Sequence, residues 1–154
     1  MKNITRKLDE MDKRLLGELV KNSKRSYRKL AKDIGMSTTA IIERVKSLEE
    51  SEYITGYGAK LDYNKLGFEF MAVVDISISG KDLLQIEGKV AKIPHVAAVW
   101  DTTGGYDAIA VVMCKTRGEL SSTVKKILAV SGVEKTNTNM VLNVITRLTE
   151  FKEI

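Results

Sequence analysis

Hydrophobic residues in the first third of the chain recur at helical spacing in three short runs. The first run follows Asp9, a favourable N-cap residue, and ends near Asn22. The second lies between Ser26, which can also cap a helix, and Gly35, a residue type that commonly ends helices. The third begins after Ser37, another N-cap candidate. The pattern therefore predicts three helices, with only a short turn between the second and the third.

The short turn and its glycine are typical of a helix-turn-helix, whose second helix enters the major groove of DNA. Helical hairpins in ordinary α-domains have similar spacing, so that alternative stays open here. In the third helix Ile41, Val45 and Leu48 recur at i, i+4 and i+7 and should pack inward. The face presented to DNA would then hold Thr38, Thr39, Ile42 and Lys46, with Ser37 at its start.

The side chains predicted to face DNA have suitable chemistry. Threonine can hydrogen-bond to a base edge or touch a thymine methyl group. Ile42 could contact the same methyl group or make a second packing contact inside the domain. Arg44 lies at the rim of the buried stripe, where a phosphate contact and a structural ion pair are both open, and we favour the phosphate.

The positive charge of the chain is concentrated in this region. The formal net charge is +5, and residues 1–60 hold 14 Lys and Arg against 9 Asp and Glu. Twelve consecutive residues contain Lys21, Lys24, Arg25, Arg28, Lys29 and Lys32. Such a cluster fits a DNA phosphate backbone, although a solvated helix face would look the same. The predicted phosphate contacts are Lys24, Arg25, Arg28 and Lys29.

The second half of the chain alternates between strand and helix periodicity. In FMAVVDISIS every second residue from Ala72 to Ile78 is apolar and faces one side. The elements expected after this strand are a helix over 82–93, the strand HVAAVWDTT, a tight Gly104-Gly105 connection, the strand AIAVVMC, a helix over about 117–130 and a strand from Val133 to about Arg147. This βαββαβ order predicts an α+β, ferredoxin-like domain with both helices on one sheet face.

Glycines mark a boundary between the two parts. The segment YITGYGAKLDYNKLG is expected to contain a short strand, a hinge and one helical turn. The predicted organisation is a helix-turn-helix domain, of the winged type, over 1–54, a linker over 55–67 and a dimerisation and sensing domain over 68–154.

The third strand of the second domain, AIAVVMC, is apolar on both of its faces. A central strand needs this only if the helix-free face is also covered, and a second copy of the sheet is the simplest cover. We therefore expect a homodimer. Cys114 in this strand is expected to be a buried small hydrophobe, and His95, which follows a proline in a turn, to be structural.

Composition narrows the class of protein further. The first residues are polar, no apolar run approaches the length of a membrane span, and the chain has one cysteine. We expect a cytoplasmic protein that does not enter a membrane, with no catalytic residues, no metal and no cofactor.

Five segments in order resemble the Lrp/AsnC family of prokaryotic transcriptional regulators: LDEMDKRLLGEL, KRSYRKLAKDIGMS, STTAIIERVKSLEESEYI, VAAVWDTTGGYDAIAVV and GVEKTNTNMVLNV. The resemblance covers nearly the whole chain from Leu8. It implies a DNA-binding regulator that dimerises through its C-terminal domain, assembles further into tetramers or octamers, and binds imperfect palindromes in double-stranded DNA. One departure concerns Glu52, which stands where the family usually has a glycine, so the expected left-handed cap is in doubt.

The resemblance also implies an amino-acid effector. The residues that it assigns to this site are Gly104, Gly105, Tyr106 and Asp107, with the facing segment Thr136, Asn137 and Thr138. Glycines can leave backbone amides open for a carboxylate, and Asp107 could hold an ammonium group. The alternative is that the glycines make the hairpin turn while Asp107 bonds to backbone amides.

Two other functions are compatible with a two-domain chain of this kind. Sirohaem decarboxylases look similar over the same two domains, but their tetrapyrrole chemistry needs gathered basic side chains, and here the second domain has one histidine and no net positive charge. An amino-acid sensor that acts without DNA is the other alternative, and the basic second helix disfavours it.

Overall fold

The structure, a computed structural model, describes residues 7–80 and 82–146. They form two compact units. Among the described residues, one unit holds 7–60 together with 145–146, and the other lies within Leu61–Val144. Within the described ranges no helix is long and apolar enough to cross a lipid bilayer.

The first unit is built from the three predicted helices, α1 (Glu10–Lys21), α2 (Tyr27–Ile34) and α3 (Thr38–Glu50). The side chains of Asp9, Ser26 and Ser37 cap them, each accepting a backbone N–H of the first turn. Gly35 ends α2 in the left-handed conformation, with φ at 82°. The predicted starts and ends of these helices are therefore confirmed.

The core of this unit is formed by one face of each helix. The three α3 residues expected to point inward, Ile41, Val45 and Leu48, are at most 1% exposed. They pack with Leu15, Leu16, Leu19, Leu30, Ala31 and Ile34, and Met36 of the turn covers the edge of this cluster. Burial of one α3 face fixes which side chains its opposite face presents.

The C-terminal end of α3 adopts the left-handed turn that the sequence left in doubt. Glu52 has φ at 60°. Its N–H donates to the Glu49 carbonyl at 3.1 Å, and the Ile54 N–H donates to the Leu48 carbonyl at 3.1 Å. A side chain other than glycine in this conformation costs roughly 1 kcal/mol, and the surrounding bonds hold it in place.

The segment after α3 differs from its prediction. The short strand expected there does not form, because a strand needs a partner and the described residues of this unit contain only helices. Tyr53 and Ile54 instead pack against the helical core. Further on, the predicted helical turn is present: the Leu66 N–H donates to the Asp62 carbonyl at 3.2 Å, and Gly67 closes the turn with φ at 83°.

The second unit is an antiparallel four-stranded sheet with two helices. Its elements are β1 (Phe70–Ile78), α4 (Leu83–Val90), β2 (Val96–Asp101), β3 (Ala108–Cys114), α5 (Arg117–Leu128) and β4 (Val133–Met140). The strand order is β2-β3-β1-β4, with β1 and β3 in the centre. The ferredoxin-like α+β prediction is confirmed.

Two predicted boundaries in this unit were wrong. The last strand ends at Met140, well before residue 147, where its ladder to β1 stops at the Ala72–Met140 pair. Residue 147 itself lies outside the described residues. The helix expected over 82–93 ends at Val90, whereas α5, expected over about 117–130, agrees with the observed Arg117–Leu128.

The connection between β2 and β3 is also longer than predicted. It is not a tight turn of two glycines but runs over the six residues between Asp101 and Ala108. Gly104 and Gly105 form a bend within it.

The two faces of the sheet have different surroundings. One face lies under α4 and α5, where Val74, Ile76, Ala110 and Val112 are fully buried. On the other face the apolar side chains are only partly buried within one chain. They include Met71, Val73, Ile109, Val111 and Met113, with the half-exposed Trp100 at the β2 edge.

Candidate DNA-binding surface and effector loop

The outward face of α3 presents the predicted side chains to solvent. Thr38, Thr39, Ile42 and Lys46 are all exposed. Ile42 is 45% exposed, so of the two alternatives for this residue the structure favours a surface contact over a core contact. The face is small and carries hydroxyl, methyl and ammonium groups, which suits contacts to base edges and phosphates.

The turn before α3 fixes where this face begins. The Ser37 hydroxyl accepts the Ala40 N–H at 3.1 Å. Its own proton remains available to donate to a further acceptor, such as a phosphate oxygen. Gly35 and Met36 both donate to the Ala31 carbonyl at 2.9 Å. The N-terminal turn of α3 is therefore held in one position relative to α2.

Arg44 is engaged by α1. Its Nη1 lies 2.7 Å from an Asp9 carboxylate oxygen and 2.7 Å from an Asp12 oxygen. These hydrogen bonds raise the pKa of Arg44. The pKa of Asp9 is lowered, first by the Asp12 N–H of the capping box and then by Arg44. Of the two alternatives for Arg44 the structure forms the ion pair, so this residue is left out of the DNA contacts proposed below.

Arg25 is paired in a similar way. Its guanidinium bonds to the carboxylates of Glu18 and Asp33, and the Arg25 side chain is only 17% exposed. This neutralised and partly buried cation is a weaker candidate for a phosphate contact than its neighbours. Its contact to DNA stays a prediction.

The other predicted phosphate contacts are more accessible. Lys24, Arg28 and Lys29 are exposed, and within the described part of the chain none of them forms an ion pair. Arg28 and Lys29 lie in the first turn of α2, next to the Ser26 cap. They give this end of the helix a positive surface without a compensating acid in the same turn.

The Gly104–Asp107 segment forms a hydrogen-bonded loop directly before β3. The Thr102 N–H donates to the Asp107 carbonyl at 2.9 Å, and the Thr102 hydroxyl donates to the Tyr106 carbonyl at 3.2 Å. The Asp107 carboxylate accepts the Ile78 N–H at 2.7 Å. This bond is the structural alternative considered for Asp107, and it occupies one of its two carboxylate oxygens.

The facing segment lies across the central strand from this loop. Ile76 of β1 pairs with Ala108 on one side and with Thr136 on the other, which places the two segments roughly 10 Å apart, two strand spacings. Along β4, Asn137 points to the opposite face from Thr136 and Thr138. The seven predicted effector residues therefore do not form a single pocket within one chain.

Asn137 instead joins a polar cluster that sequence reasoning missed. The Asp75 carboxylate accepts Nδ2–H bonds from Asn137 at 3.0 Å and from Asn139 at 2.8 Å. The cluster lies on the helix-free face, where β1 pairs with the edge strand β4. The signal in the sequence was Asp75, an acid in the largely apolar strand MAVVDISI. The alternation of the strand places it on the helix-free face.

Comparison with known proteins agrees with this geometry. The model of the AsnC-type helix-turn-helix domain matches residues 8–49, and the model of the Lrp/AsnC ligand binding domain matches residues 71–151. An HTH-type transcriptional regulator of Pyrococcus abyssi is 42% identical over 138 residues, covering 90% of this chain and 94% of that protein. The chain belongs to the Lrp/AsnC family.

Other Lrp/AsnC proteins match over similar lengths. HTH-type transcriptional regulator FL11 of Pyrococcus furiosus is 32% identical, with coverage of 93% of this chain and 95% of FL11. The structure of Escherichia coli AsnC superposes with a TM-score of 0.84 at 26% identity, covering 92% and 97%. An L-Met complex of a Neisseria meningitidis transcriptional regulator superposes with a TM-score of 0.85 at 24% identity, covering 92% and 94%. The Lrp/AsnC chain described here is a helix-turn-helix transcriptional regulator with a ligand-binding domain.

Proposed function

We propose that this regulator reads its operator through the exposed face of α3. The observation that carries the proposal is the division of α3 into one fully buried stripe and one exposed face with Thr38, Thr39 and Ile42 near its N-terminus. In a helix-turn-helix the N-terminal residues of the second helix approach base edges. These three side chains, with Lys46 further along, would carry the sequence preference.

The first turn of α2 would supply the contacts to the DNA backbone. Arg28 and Lys29 lie in that turn without a compensating acid, Lys24 lies in the loop before it, and all three side chains are exposed. Phosphate contacts position a protein on the duplex without reading sequence. Arg25 and Arg44 hold carboxylates of their own domain, so their loss should affect stability more than affinity.

A homodimer would form through the helix-free face of the sheet. That face carries the partly buried side chains of Val73, Ile109 and Val111 on the two central strands. The Asp75 cluster, with its two asparagines on the edge strand β4, gives the same face polar groups that could bond to a second copy. Two copies of α3 would then reach successive major grooves, with half-sites about one helical turn apart. On the basis of the family, we also propose that these dimers assemble further into a tetramer or an octamer.

The effector would be an amino acid. The Neisseria regulator that superposes on this chain is a complex with L-Met. In this chain Gly104 and Gly105 leave the loop backbone accessible to a carboxylate, and Asp107 has one carboxylate oxygen outside its bond to Ile78. Since Thr136–Thr138 lie across β1 from this loop, contributions from neighbouring copies would complete the site. Effector binding would change how dimers associate and hence which operator spacings are bound.

The domain functions follow from this assignment. Residues 1–54 would bind DNA, 55–67 would link, and 68–154 would dimerise and sense the effector. Because the target is DNA, the protein would act in the cytoplasm and not as an enzyme.

The experiment is selection of bound fragments from a random pool of duplex DNA by the full-length protein. It is run with no addition and with each amino acid in turn. The proposal expects one enriched motif with two-fold symmetry, and a change in its affinity or spacing with at least one amino acid. An unenriched pool would remove the DNA-reading function, whereas an enriched motif indifferent to every amino acid would remove only the effector assignment. Strong binding of sirohaem, seen as a Soret band, would favour the enzyme alternative.

A further inference from the structure

The chain contains one histidine and one cysteine, and the fold brings them together. His95, Cys114 and Glu119 each offer one ligand atom, and these three atoms all lie within 4.8 Å of one another. His95 and Cys114 are nineteen positions apart in the sequence, so only the fold creates this cluster. It lies at the opposite end of β3 from the Gly104–Asp107 loop and takes no part in the proposed effector site.

Backbone contacts hold each member of the cluster in place. Cys114 is the last residue of β3. The His95 carbonyl accepts the N–H of Met113, the residue before Cys114 on β3, at 2.9 Å. Glu119 belongs to the capping box of α5, and its Oε2 accepts the Lys115 N–H at 2.8 Å. The three side chains are therefore anchored by a strand end, a turn and the first turn of a helix.

We propose that His95, Cys114 and Glu119 bind a divalent transition-metal ion, with zinc as the preferred metal. Thiolate, imidazole and carboxylate are the three side-chain ligands that zinc takes in proteins, with bonds of about 2.0–2.3 Å. Tetrahedral bonds of that length place ligand atoms roughly 3.3–3.8 Å apart. Because the three ligand atoms lie within 4.8 Å of one another, shifts of about an ångström would bring them to this spacing.

Charge also favours a divalent ion. A thiolate and a carboxylate together contribute two negative charges, and a neutral imidazole contributes none, so a dication makes the site neutral. Both backbone bonds of Glu119 use Oε2, so a metal can bind Oε1 and leave the helix cap intact. The fourth tetrahedral position would be open to water or a small ligand.

The three proposed ligands differ in their exposure to solvent. Cys114 is fully buried, Glu119 is partly buried and His95 is exposed. A metal ion would enter past the imidazole and settle against the sulfur.

Cobalt is a suitable probe because a thiolate-bound Co²⁺ ion gives an intense charge-transfer band in the near ultraviolet. The experiment titrates Co²⁺ into reduced full-length protein from which any purification tag has been removed. We expect the band to saturate at one ion per chain and to be displaced by Zn²⁺. Since the sequence has one cysteine, such a band identifies Cys114 as the ligand.

Three variants test the three proposed ligands, and each replacement is chosen to preserve the local structure. Cys114→Ala keeps a small apolar side chain in the core and should abolish the band. Glu119→Gln keeps the capping box but removes the carboxylate. His95→Asn keeps a residue that tolerates the positive φ of 72° found at this position. Each of the last two should weaken binding by at least about tenfold, a loss that even outer-shell partners of a metal produce.

A stability measurement provides an independent readout. A ligand that binds only the folded state raises its melting temperature, so Zn²⁺ should raise the melting temperature of the unaltered protein and leave that of Cys114→Ala unchanged. Glu134→Gln, which removes an exposed carboxylate on β4, is the matched control and should bind as the unaltered protein does. Absence of the charge-transfer band, or equal affinity in all variants, would overturn the proposal.

Discussion

Arg44 on α3 and the fully buried Asp12 on α1 form an ion pair, with 2.7 Å between Nη1 and Oδ1. The same guanidinium also bonds to Asp9, the N-cap of α1. The helix proposed to read DNA is thus attached by charge to the start of the first helix. Its orientation does not depend on apolar packing alone.

Replacing Arg44 should therefore destabilise the N-terminal unit. Arg44→Met removes the bonds of this guanidinium to the buried Asp12 and to Asp9, at a cost of roughly 2–3 kcal/mol. Hydrogen exchange of the α1–α3 amides in the full-length protein measures this directly. Lys46→Met is the control, since Lys46 and Glu50 are both well exposed and 3.7 Å apart, and such pairs contribute about 0–1 kcal/mol. Unchanged exchange in Arg44→Met, with weaker binding to every DNA sequence, would instead support a phosphate contact.

Glu52→Gly should stabilise the same unit. Glycine adopts the φ of 60° found at Glu52 without steric cost, and the gain expected is about 1 kcal/mol. The control is Glu50→Gly, inside the last turn of α3, where glycine should reduce stability by up to about 1 kcal/mol. Urea unfolding followed by far-ultraviolet circular dichroism compares the two. A loss of stability in both variants would show that the Glu52 side chain makes contributions that outweigh its backbone cost.

Val111→Glu should prevent dimerisation. Val111 lies on the helix-free face, between Val73 of β1 and Ala98 of β2. A carboxylate there would be buried without a partner in a face-to-face dimer and would cost several kcal/mol. Sedimentation velocity should show a dimer or larger assembly for the unaltered protein and a monomer for the variant. Ser121→Glu, on the exposed side of α5, should leave the assembly unchanged, and a monomeric unaltered protein would refute the interface.

Glu87 predicts a pH dependence of stability. Burial, with smaller contributions from Asp101 and Asp107, raises the pKa of Glu87 above its usual 4.5, and its Oε1 is buried without a hydrogen bond among the described residues. As pH rises past 4.5 the unfolded chain ionises first, so stability falls until pH exceeds the raised folded-state pKa.

Glu87→Gln should remove this contribution. The variant should be more stable than the unaltered protein at pH 7 and equal to it at acidic pH, where Glu87 is protonated in both states. Urea unfolding followed by the fluorescence of Trp100, the one tryptophan, provides the measurement. Glu134→Gln on the exposed side of β4 should change neither curve. A difference between Glu87→Gln and the unaltered protein that is independent of pH would contradict the titration.

Local signals in the sequence predicted the parts of the fold that local chemistry determines. Asp9, Ser26 and Ser37 cap their helices by hydrogen bonds within one turn. The alternation of residues along FMAVVDISI indicates a strand with one face covered. The boundaries that were predicted wrongly depend on residues that are distant in the sequence. The last strand ends with the Ala72–Met140 pair to β1, and the sequence of β4 itself does not mark this end.

The candidate site shows the same division. The outward face of α3 followed from periodicity, whereas the partners of Arg25 and Arg44 lie on other helices, seven or more positions away. Sequence alone could not choose between a phosphate and a carboxylate for these guanidinium groups. The cluster of His95, Cys114 and Glu119 was hidden for a related reason, because a turn, a strand and a helix each supply one member.

The most direct test of the account is the affinity of Thr38→Ala for the selected operator and for its single-base variants at fixed ionic strength. We expect the variant to lose roughly 1–3 kcal/mol of discrimination at one base pair, while Arg28→Ala weakens binding to all duplexes by a similar factor. Equal losses for Thr38→Ala on the operator and on random DNA would contradict the claim that the exposed face of α3 reads the sequence.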